Sequence, residues 1–160
     1  MVSMGQEPLS YSAVEKAEGM TAGEIFISAK SWIATAYGDA QSVIQMAEDN
    51  KIIAKGNHLY NANNAHNKIE YVLTVECRDG RYKLTLNSMN YSCSWMSNPR
   101  IFEFGVLTDA EDTDANANFF GKKVCLKLWQ KAKDESKVVY DQILEGIKES
   151  MAKDLTSDDW

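Results

Sequence analysis

The residues best suited to chemistry in this 160-residue sequence are its two histidines, His58 and His66. An imidazole can act as a general base or a metal ligand near neutral pH. Neither histidine has a cysteine or a paired-carboxylate motif near it in the sequence. The sequence also has no Gly-rich phosphate loop and no Gly-x-Ser-x-Gly motif. We therefore expect no catalytic residue, no metal ligand, no cofactor and no enzymatic activity.

An acidic segment before the last predicted helix resembles the start of a calcium-binding loop. Asp112, Asp114 and Asn116 have the spacing of the first three ligands of such a loop. The pattern then fails, because Ala117 occupies the position that requires glycine and Lys123 the position that requires glutamate. We interpret the segment as a solvated loop.

The cysteines and the charge exclude several classes of protein. Cys77, Cys93 and Cys125 are odd in number and widely spaced, which is typical of neither a disulfide framework nor a zinc site. The formal net charge is −6, so the chain as a whole repels phosphate backbones and we expect no nucleic-acid partner. With 44% hydrophobic and 25% charged residues, the composition is that of a soluble globular protein. No apolar run is long enough to span a membrane.

The clearest structural signal is a β-hairpin over Lys68–Tyr91. Apolar residues occupy alternate positions on both sides of Asp79 and Gly80, as expected of strands with one buried face. Asp-Gly favours a two-residue type I′ turn, in which both central residues have positive φ. The alternation changes parity near Met89 and Tyr91, which predicts either a β-bulge or the end of regular pairing near Ser88.

The other elements follow from periodicity and capping signals. Thr21 and Glu24 form the Thr-x-x-Glu pattern of a capping box, and the helix after them turns Trp32 inward. The predicted elements are a strand over 9–15, a helix over about 22–37, strands over 42–47 and 51–59 around a turn at 48–50, an Asn-rich connection over Tyr60–Asn67, and a long helix over about 122–153.

The long C-terminal helix has two positions that interrupt its pattern. Ser136 falls on the apolar stripe, and Gly146 lies off it. The glycine is expected to cost about 1 kcal/mol of helix propensity relative to alanine. These boundaries predict a flexible arm over 1–8, one α+β domain over 9–153, and an acidic tail over 154–160.

The segment over residues 92–120 is an insertion before the long helix. Residues 101–107 are predicted to form one further strand with Phe102, Phe104 and Val106 on one face. Trp95, Phe102 and Phe104 are the candidate contact surface for a partner. The alternative is that the segment folds back and closes the core.

Four stretches carry a resemblance to a known family. They are Gly19-Met20-Thr21 leading into Ile25–Trp32, Ser42-Val43-Ile44-Gln45, Lys51-Ile52-Ile53-Ala54-Lys55-Gly56, and Glu76-Cys77-Arg78-Asp79-Gly80-Arg81-Tyr82. Together they resemble a bacterial family of unknown function that has a TATA-binding-protein-like fold, over roughly residues 9–91. The resemblance implies an α+β fold with strand, helix, four antiparallel strands and a long C-terminal helix. It implies no activity and no catalytic residues.

Three hypotheses of function remain open. The first is a non-enzymatic binding or protein-interaction module, with an unidentified protein or small ligand as partner and a homodimer as one form. The second is a carrier of a small apolar ligand, held between the sheet and the C-terminal helix. The third is an enzyme in which Tyr11, His58 or His66 meets carboxylates in space. Met1–Pro8 lacks the apolar core of a signal peptide, whereas the resemblance implies that many members are exported or envelope proteins.

Overall fold

Six antiparallel strands and one long helix dominate the fold. The structure is a computed structural model that describes residues 7–37 and 43–156. The elements are β1 (Tyr11–Lys16), α1 (Ala22–Tyr37), β2 (Ile44–Glu48), β3 (Lys51–Ala62), β4 (Ala65–Arg78), β5 (Arg81–Trp95), β6 (Asn98–Val106), α2 (Ala117–Phe120) and α3 (Lys122–Thr156). The predicted α+β order, including the extra strand β6, is confirmed.

The sheet has the strand order β1-β5-β4-β3-β2, with β6 also paired to β5. The first half of β5 pairs with β1, so that Lys16 lies opposite Arg81. The second half pairs with β6, so that Trp95 lies opposite Asn98. Because Ser42 lies outside the described residues, the predicted start of β2 is not among them.

The described chain divides into two compact units. The first contains residues 7–10, 57–71 and 87–139, and the second contains residues 11–56, 72–86 and 140–156. A single domain over 9–153 stays a prediction. Of the predicted arm, residues 1–6 lie outside the described part, and the predicted acidic tail is described only to residue 156, within α3.

The N-terminal residues that are described pair with the segment after β6. Pro8 forms an isolated antiparallel bridge with Thr108. The backbone N–H of Asp109 donates to the Glu7 carbonyl at 3.0 Å, and the Glu7 N–H donates to Asp109 Oδ1 at 3.1 Å. These bonds hold Glu7 and Pro8 in the first unit.

Helix α1 begins with the predicted capping box. The Glu24 N–H donates to Thr21 Oγ1 at 3.2 Å, and the Thr21 N–H donates to Glu24 Oε1 at 2.9 Å. Two N–H groups of the first turn region, which have no partner within the helix, are therefore satisfied. The inward face of the helix buries its apolar positions completely, at Ile25, Ala29 and Ile33.

The turn between β4 and β5 differs from the predicted type I′. Among the turn residues only Gly80 has positive φ, at 76°, and Asp79 does not. The Asp79 carboxylate accepts a hydrogen bond from the Ala22 N–H at 2.8 Å, and the Gly80 N–H donates to the Met20 carbonyl at 2.8 Å. The segment before α1 thus sets the turn geometry. The bulge predicted near Ser88 is confirmed, because Ser88 has φ 53° and the buried positions of β5 change parity there.

The predicted Asn-rich connection over Tyr60–Asn67 is wrong. Strand β3 continues to Ala62 and β4 begins at Ala65, so the connection consists of Asn63 and Asn64 alone. Both asparagines adopt left-handed φ values of 55° and 59°, which asparagine tolerates better than most residues. A tight asparagine turn therefore replaces the loop, and both strands are longer than predicted.

Gly146 has a packing role that its position off the apolar stripe did not predict. A Cβ atom at this residue would lie 2.4 Å from Cζ2 of Trp32. The indole ring of Trp32, which is half-buried, thus lies against the bare backbone of α3. Ser136 is buried on the stripe as predicted, and its hydroxyl donates to the Lys133 carbonyl at 2.7 Å.

Candidate functional site

An open groove of about 480 Å³ lies where the β4–β5 turn, the β2–β3 turn and β1 meet. We call it the tip groove. All of its lining residues belong to the second unit. They are Val14, Asp49, Asn50, Lys51, Glu76, Cys77, Arg78, Arg81, Tyr82 and Lys83.

The alternation of β4 and β5 places the charged side chains of the tip groove. Along β4, Glu76 and Arg78 are exposed and Cys77 between them is buried. Along β5, Arg81 and Lys83 are exposed on either side of a buried tyrosine. Because successive strand side chains point to opposite faces, these four charged groups share the solvent-facing side of the sheet.

The β2–β3 turn brings a further cation to the same place. Asp49 and Asn50 form this turn with left-handed φ values of 53° and 59°. The Asn50 carbonyl accepts a hydrogen bond from the Cys77 N–H at 2.8 Å, which ties the turn to the end of β4. Lys51 consequently lines the groove together with Arg78.

The tip groove is locally basic on an acidic protein. Lys51, Arg78, Arg81 and Lys83 line it, against only two carboxylates, whereas the whole chain has a net charge of −6. Within residues 7–37 and 43–156, none of these four cations forms an ion pair with a carboxylate. The nearby Asp79 carboxylate is held by the N-terminus of α1 instead. An anionic group in the groove would therefore meet more cations than carboxylates, and cations that form no ion pair within the described residues.

Two of the three aromatic residues proposed as a contact surface lie in the core of the first unit. Phe102 and Phe104 are only 4% and 7% exposed. The Phe102 ring centroid lies 4.5 Å from that of Phe119 and 4.7 Å from that of Phe120. Trp95 is half-buried and packs edge-on against Phe120 at 5.1 Å. The segment therefore closes the core, and a role of these residues in partner binding stays a prediction.

Strand β6 departs from the predicted face pattern at its end. Val106 was expected on the same face as Phe104, but it is 39% exposed. Gly105 between them adopts φ 80°, a left-handed conformation that interrupts strand alternation.

Each histidine has a different neighbour in the first unit. His58 Nε2 lies 3.7 Å from Glu135 Oε1, which is an ion-pair distance but too long for a hydrogen bond. His66 Nδ1 lies 2.8 Å from Asn61 Oδ1. Tyr11 belongs to the second unit, where it stacks on Tyr140. The structure thus brings His58 near a carboxylate, but not within hydrogen-bond distance of it.

The described part of the chain contains no cluster of metal-ligating side chains. No group of three or more His, Cys, Asp or Glu side chains there is placed to share an ion, and this includes the acidic residues Asp112 and Asp114. The segment that contains them is instead anchored through its backbone. The Ala110 carbonyl accepts hydrogen bonds from Trp129 Nε1 at 2.9 Å and from Lys133 Nζ at 2.8 Å.

The three cysteines are buried free thiols. Burial raises the pKa of Cys77 and of Cys93 to about 11. Burial also raises the pKa of Cys125 and of the phenols of Tyr60 and Tyr82 above their ordinary values. A raised thiol pKa disfavours the thiolate, so these buried thiols are poor nucleophiles.

We expect the free energy of unfolding to fall as the pH rises above about 8.5. Cys77 and Cys93 keep their protons to higher pH in the folded state. Above the pKa of 9.0 that a thiol has in the unfolded chain, deprotonation therefore stabilises the unfolded state. Each thiol should cost about 1 kcal/mol at pH 9.5. Urea midpoints at pH 7.5, 8.5 and 9.5, under reducing conditions, measure the effect. Equal midpoints at all three values would contradict it.

A match to a family model shows the family of this chain, and the matched residues include those of the tip groove. The family model described as a domain of unknown function (DUF4468) with TBP-like fold matches residues 11–92. The chain belongs to this family. All residues that line the tip groove, from Val14 to Lys83, lie inside the matched segment. The resemblance that four short motifs carried in the sequence is thereby confirmed.

Two solved bacterial structures share the fold of this DUF4468 protein. A TBP-like protein from Parabacteroides distasonis ATCC 8503 superposes with a TM-score of 0.67 at 15% identity, covering 88% of this chain and 93% of that one. A DUF4468 family protein from Bacteroides ovatus ATCC 8483 superposes with a TM-score of 0.55 at 12% identity, covering 90% and 86%. No curated protein matches the chain. No helix in the described part has the length and apolar character to cross a bilayer.

The sequence pattern alone predicted some of the residues that line the tip groove. The alternation of β4 and β5 already placed Glu76, Arg78, Arg81 and Lys83 on the outward face. It did not reveal that Lys51 joins them, because that depends on how the β2–β3 turn bonds to β4. One feature of the sequence could have indicated that Lys51 lies near Arg78, Arg81 and Lys83. Each of these four residues lies within a few positions of a predicted turn.

Proposed function

We propose that this DUF4468 protein is a non-enzymatic binding module and that the tip groove is its binding surface. The observation that carries the proposal is the set of four basic side chains that line an open groove without ion-pair partners in the described chain. Exposed like charges held close together repel one another, so a bound anionic group would relieve that repulsion. The family carries no assigned activity.

The structure supports this module better than it supports the apolar-ligand carrier. A carrier requires an apolar cavity that encloses most of its ligand. The tip groove is instead lined by exposed charged side chains. On the inward side of the same strands, Val75 and Leu84 are fully buried. The tip groove is therefore not an apolar enclosure, and the inward side chains of Val75 and Leu84 belong to the core.

Site-specific photo-crosslinking tests where the protein binds. Val14 lines the tip groove and is 61% exposed, whereas Ile27 on α1 is 67% exposed and lies outside the groove. A photoreactive residue at position 14 should give a crosslinked adduct in cells that express the protein from its own gene, and one at position 27 should not. Equal crosslinking at both positions, or none at position 14, would contradict the proposal. An adduct at twice the mass of the chain would identify a homodimer through this face.

A further inference from the structure

We infer that the ligand of the tip groove is an acidic peptide segment whose carboxylates bind Arg78 and Arg81. This inference rests on the proposed function, because it assigns a chemical class to the ligand of the same groove. It follows from three observations: the arrangement of the arginines, the presence of two carboxylates among the cations, and the exposure of the groove.

The positions and hydrogen-bond donors of the two arginines suit the binding of carboxylates. Arg78 ends β4 and Arg81 begins β5, so they flank the two-residue turn. The acidic residue between them, Asp79, is directed to the Ala22 N–H and does not line the groove. A guanidinium group presents paired N–H donors that match the two oxygens of a carboxylate. The turn thus offers two guanidinium groups to a ligand, and neither forms an ion pair with a carboxylate in the described part of the chain.

The spacing of the cations suits an extended chain that lies across the strands. Lys51, Arg78 and Arg81 belong to β3, β4 and β5, which are neighbours in the sheet. Adjacent strands lie about 4.8 Å apart, so the cations span about 10 Å. An extended peptide covers that distance in about three residues. Acidic side chains two or three positions apart would therefore reach the two outer cations of this row, Lys51 and Arg81.

The mixed charge of the groove favours a peptide over a nucleic acid. Asp49 and Glu76 lie among the cations and would repel a continuous phosphate backbone. The net charge of −6 adds to that repulsion at long range. A peptide can place neutral or donor groups beside Asp49 and Glu76, and carboxylates beside the cations. Val14, at the β1 side of the groove, offers an exposed apolar contact.

The exposure of the groove favours a peptide over a small anion. Small-ligand sites enclose most of the ligand's surface. Here the basic side chains on β4 and β5 are exposed to solvent, and the groove is open. A segment lying across an open surface can make several charge contacts at once, whereas a small anion would make few and remain solvated.

Fluorescence anisotropy with defined peptides tests the inference. The probes are labelled ten-residue peptides that alternate serine with glutamate, glutamine or lysine, at about 50 mM salt. We expect binding of the glutamate peptide alone, weakening as salt is raised. The double variant Arg78→Gln/Arg81→Gln should weaken it by about tenfold or more. The control Lys30→Gln/Lys55→Gln removes two exposed cations outside the groove and should change the affinity less than twofold.

Several results would overturn the inference, and they can be told apart from failure of the proposed function. Equal binding of the glutamine peptide would exclude a role for charge. Tighter binding of a ten-nucleotide oligothymidylate would show that the groove prefers phosphate. If the glutamate peptide fails to bind but the crosslink at position 14 persists, the acidic-peptide assignment is wrong and the binding module remains. Circular dichroism of each variant shows that loss of binding is not loss of fold.

Discussion

Replacing Asn67 with leucine is expected to lower the free energy of unfolding by about 3–5 kcal/mol. Asn67 is 2% exposed, and its amide serves the β3–β4 turn. Its Nδ2 group donates to the carbonyls of Tyr60, Ala62 and Ala65 at 3.4, 3.3 and 3.1 Å. Its Oδ1 atom accepts a hydrogen bond from the Tyr91 hydroxyl at 2.6 Å. Leucine has a similar size but provides neither donor nor acceptor.

Most of this loss should come from groups left without a partner. The Tyr91 ring is fully buried, and burial raises the pKa of its phenol well above the ordinary value, so the hydroxyl stays protonated and needs an acceptor. A buried polar group without a partner costs about 1–3 kcal/mol, whereas removal of both partners can be almost neutral. The Tyr91→Phe change should therefore recover part of the stability lost in Asn67→Leu.

A double-mutant cycle measured by urea denaturation distinguishes this network from simple packing. The double variant Asn67→Leu/Tyr91→Phe should be more stable than Asn67→Leu alone. Asn90 provides the matched control, because it is an exposed asparagine whose side chain donates to the nearby Ser88 carbonyl. Asn90→Leu should cost about 0.5 kcal/mol or less. A double variant less stable than both single variants would show that the two side chains do not act as a pair.

Replacing Gly146 with alanine is expected to destabilise the protein by about 1–2 kcal/mol, although alanine is the better helix former. Helix propensity alone would stabilise the protein by about 1 kcal/mol. The new methyl group would lie 2.4–2.7 Å from three atoms of the Trp32 indole, so the ring or the helix must move. Overpacking of this kind costs about 1–3 kcal/mol, and moving Trp32 also exposes its apolar surface.

The sign of the effect should reverse once the indole is removed. In a Trp32→Ala background the space beside residue 146 is open, so Gly146→Ala should stabilise by up to about 1 kcal/mol. Gly23 is the matched control in α1, because a Cβ there would meet only Thr21 Oγ1 at 3.9 Å. Gly23→Ala should therefore be neutral or stabilising. Thermal and urea unfolding measure all four variants, and stabilisation by Gly146→Ala in the wild-type background would contradict the packing argument.

The features that the sequence predicted correctly depend on residues close together in the chain. The capping box of Thr21 and Glu24 involves two residues three positions apart. The β4–β5 hairpin follows from strand alternation around Asp79 and Gly80, and the bulge at Ser88 follows from the change of parity. Such patterns arise from backbone sterics and from the repeat of side-chain direction, which act within a few residues. The family resemblance was assembled from motifs of the same local kind.

The features that only the tertiary structure decided join residues far apart in the chain. The Asp79 carboxylate binds Ala22, which is 57 positions away, and this replaces the expected type I′ turn. Asn67 binds Tyr91 across 24 positions, and the strands on either side of the two-residue turn extend through the segment that was expected to be a loop. A long-range contact of this kind depends on how whole elements pack together. The spacing of neighbouring residues carries no information about that packing.

The tip groove combines both levels of organisation. Local alternation alone placed Arg78 and Arg81 on the solvent side of the hairpin. A hydrogen bond between the Cys77 N–H and the Asn50 carbonyl places Lys51 beside them. A hydrogen bond from the Ala22 N–H holds the Asp79 carboxylate outside the groove. The sequence by itself thus determined which face of the hairpin is charged. Packing determined that the face is a groove whose cations form no ion pair within the described residues, because only the folded chain decides which charges become neighbours.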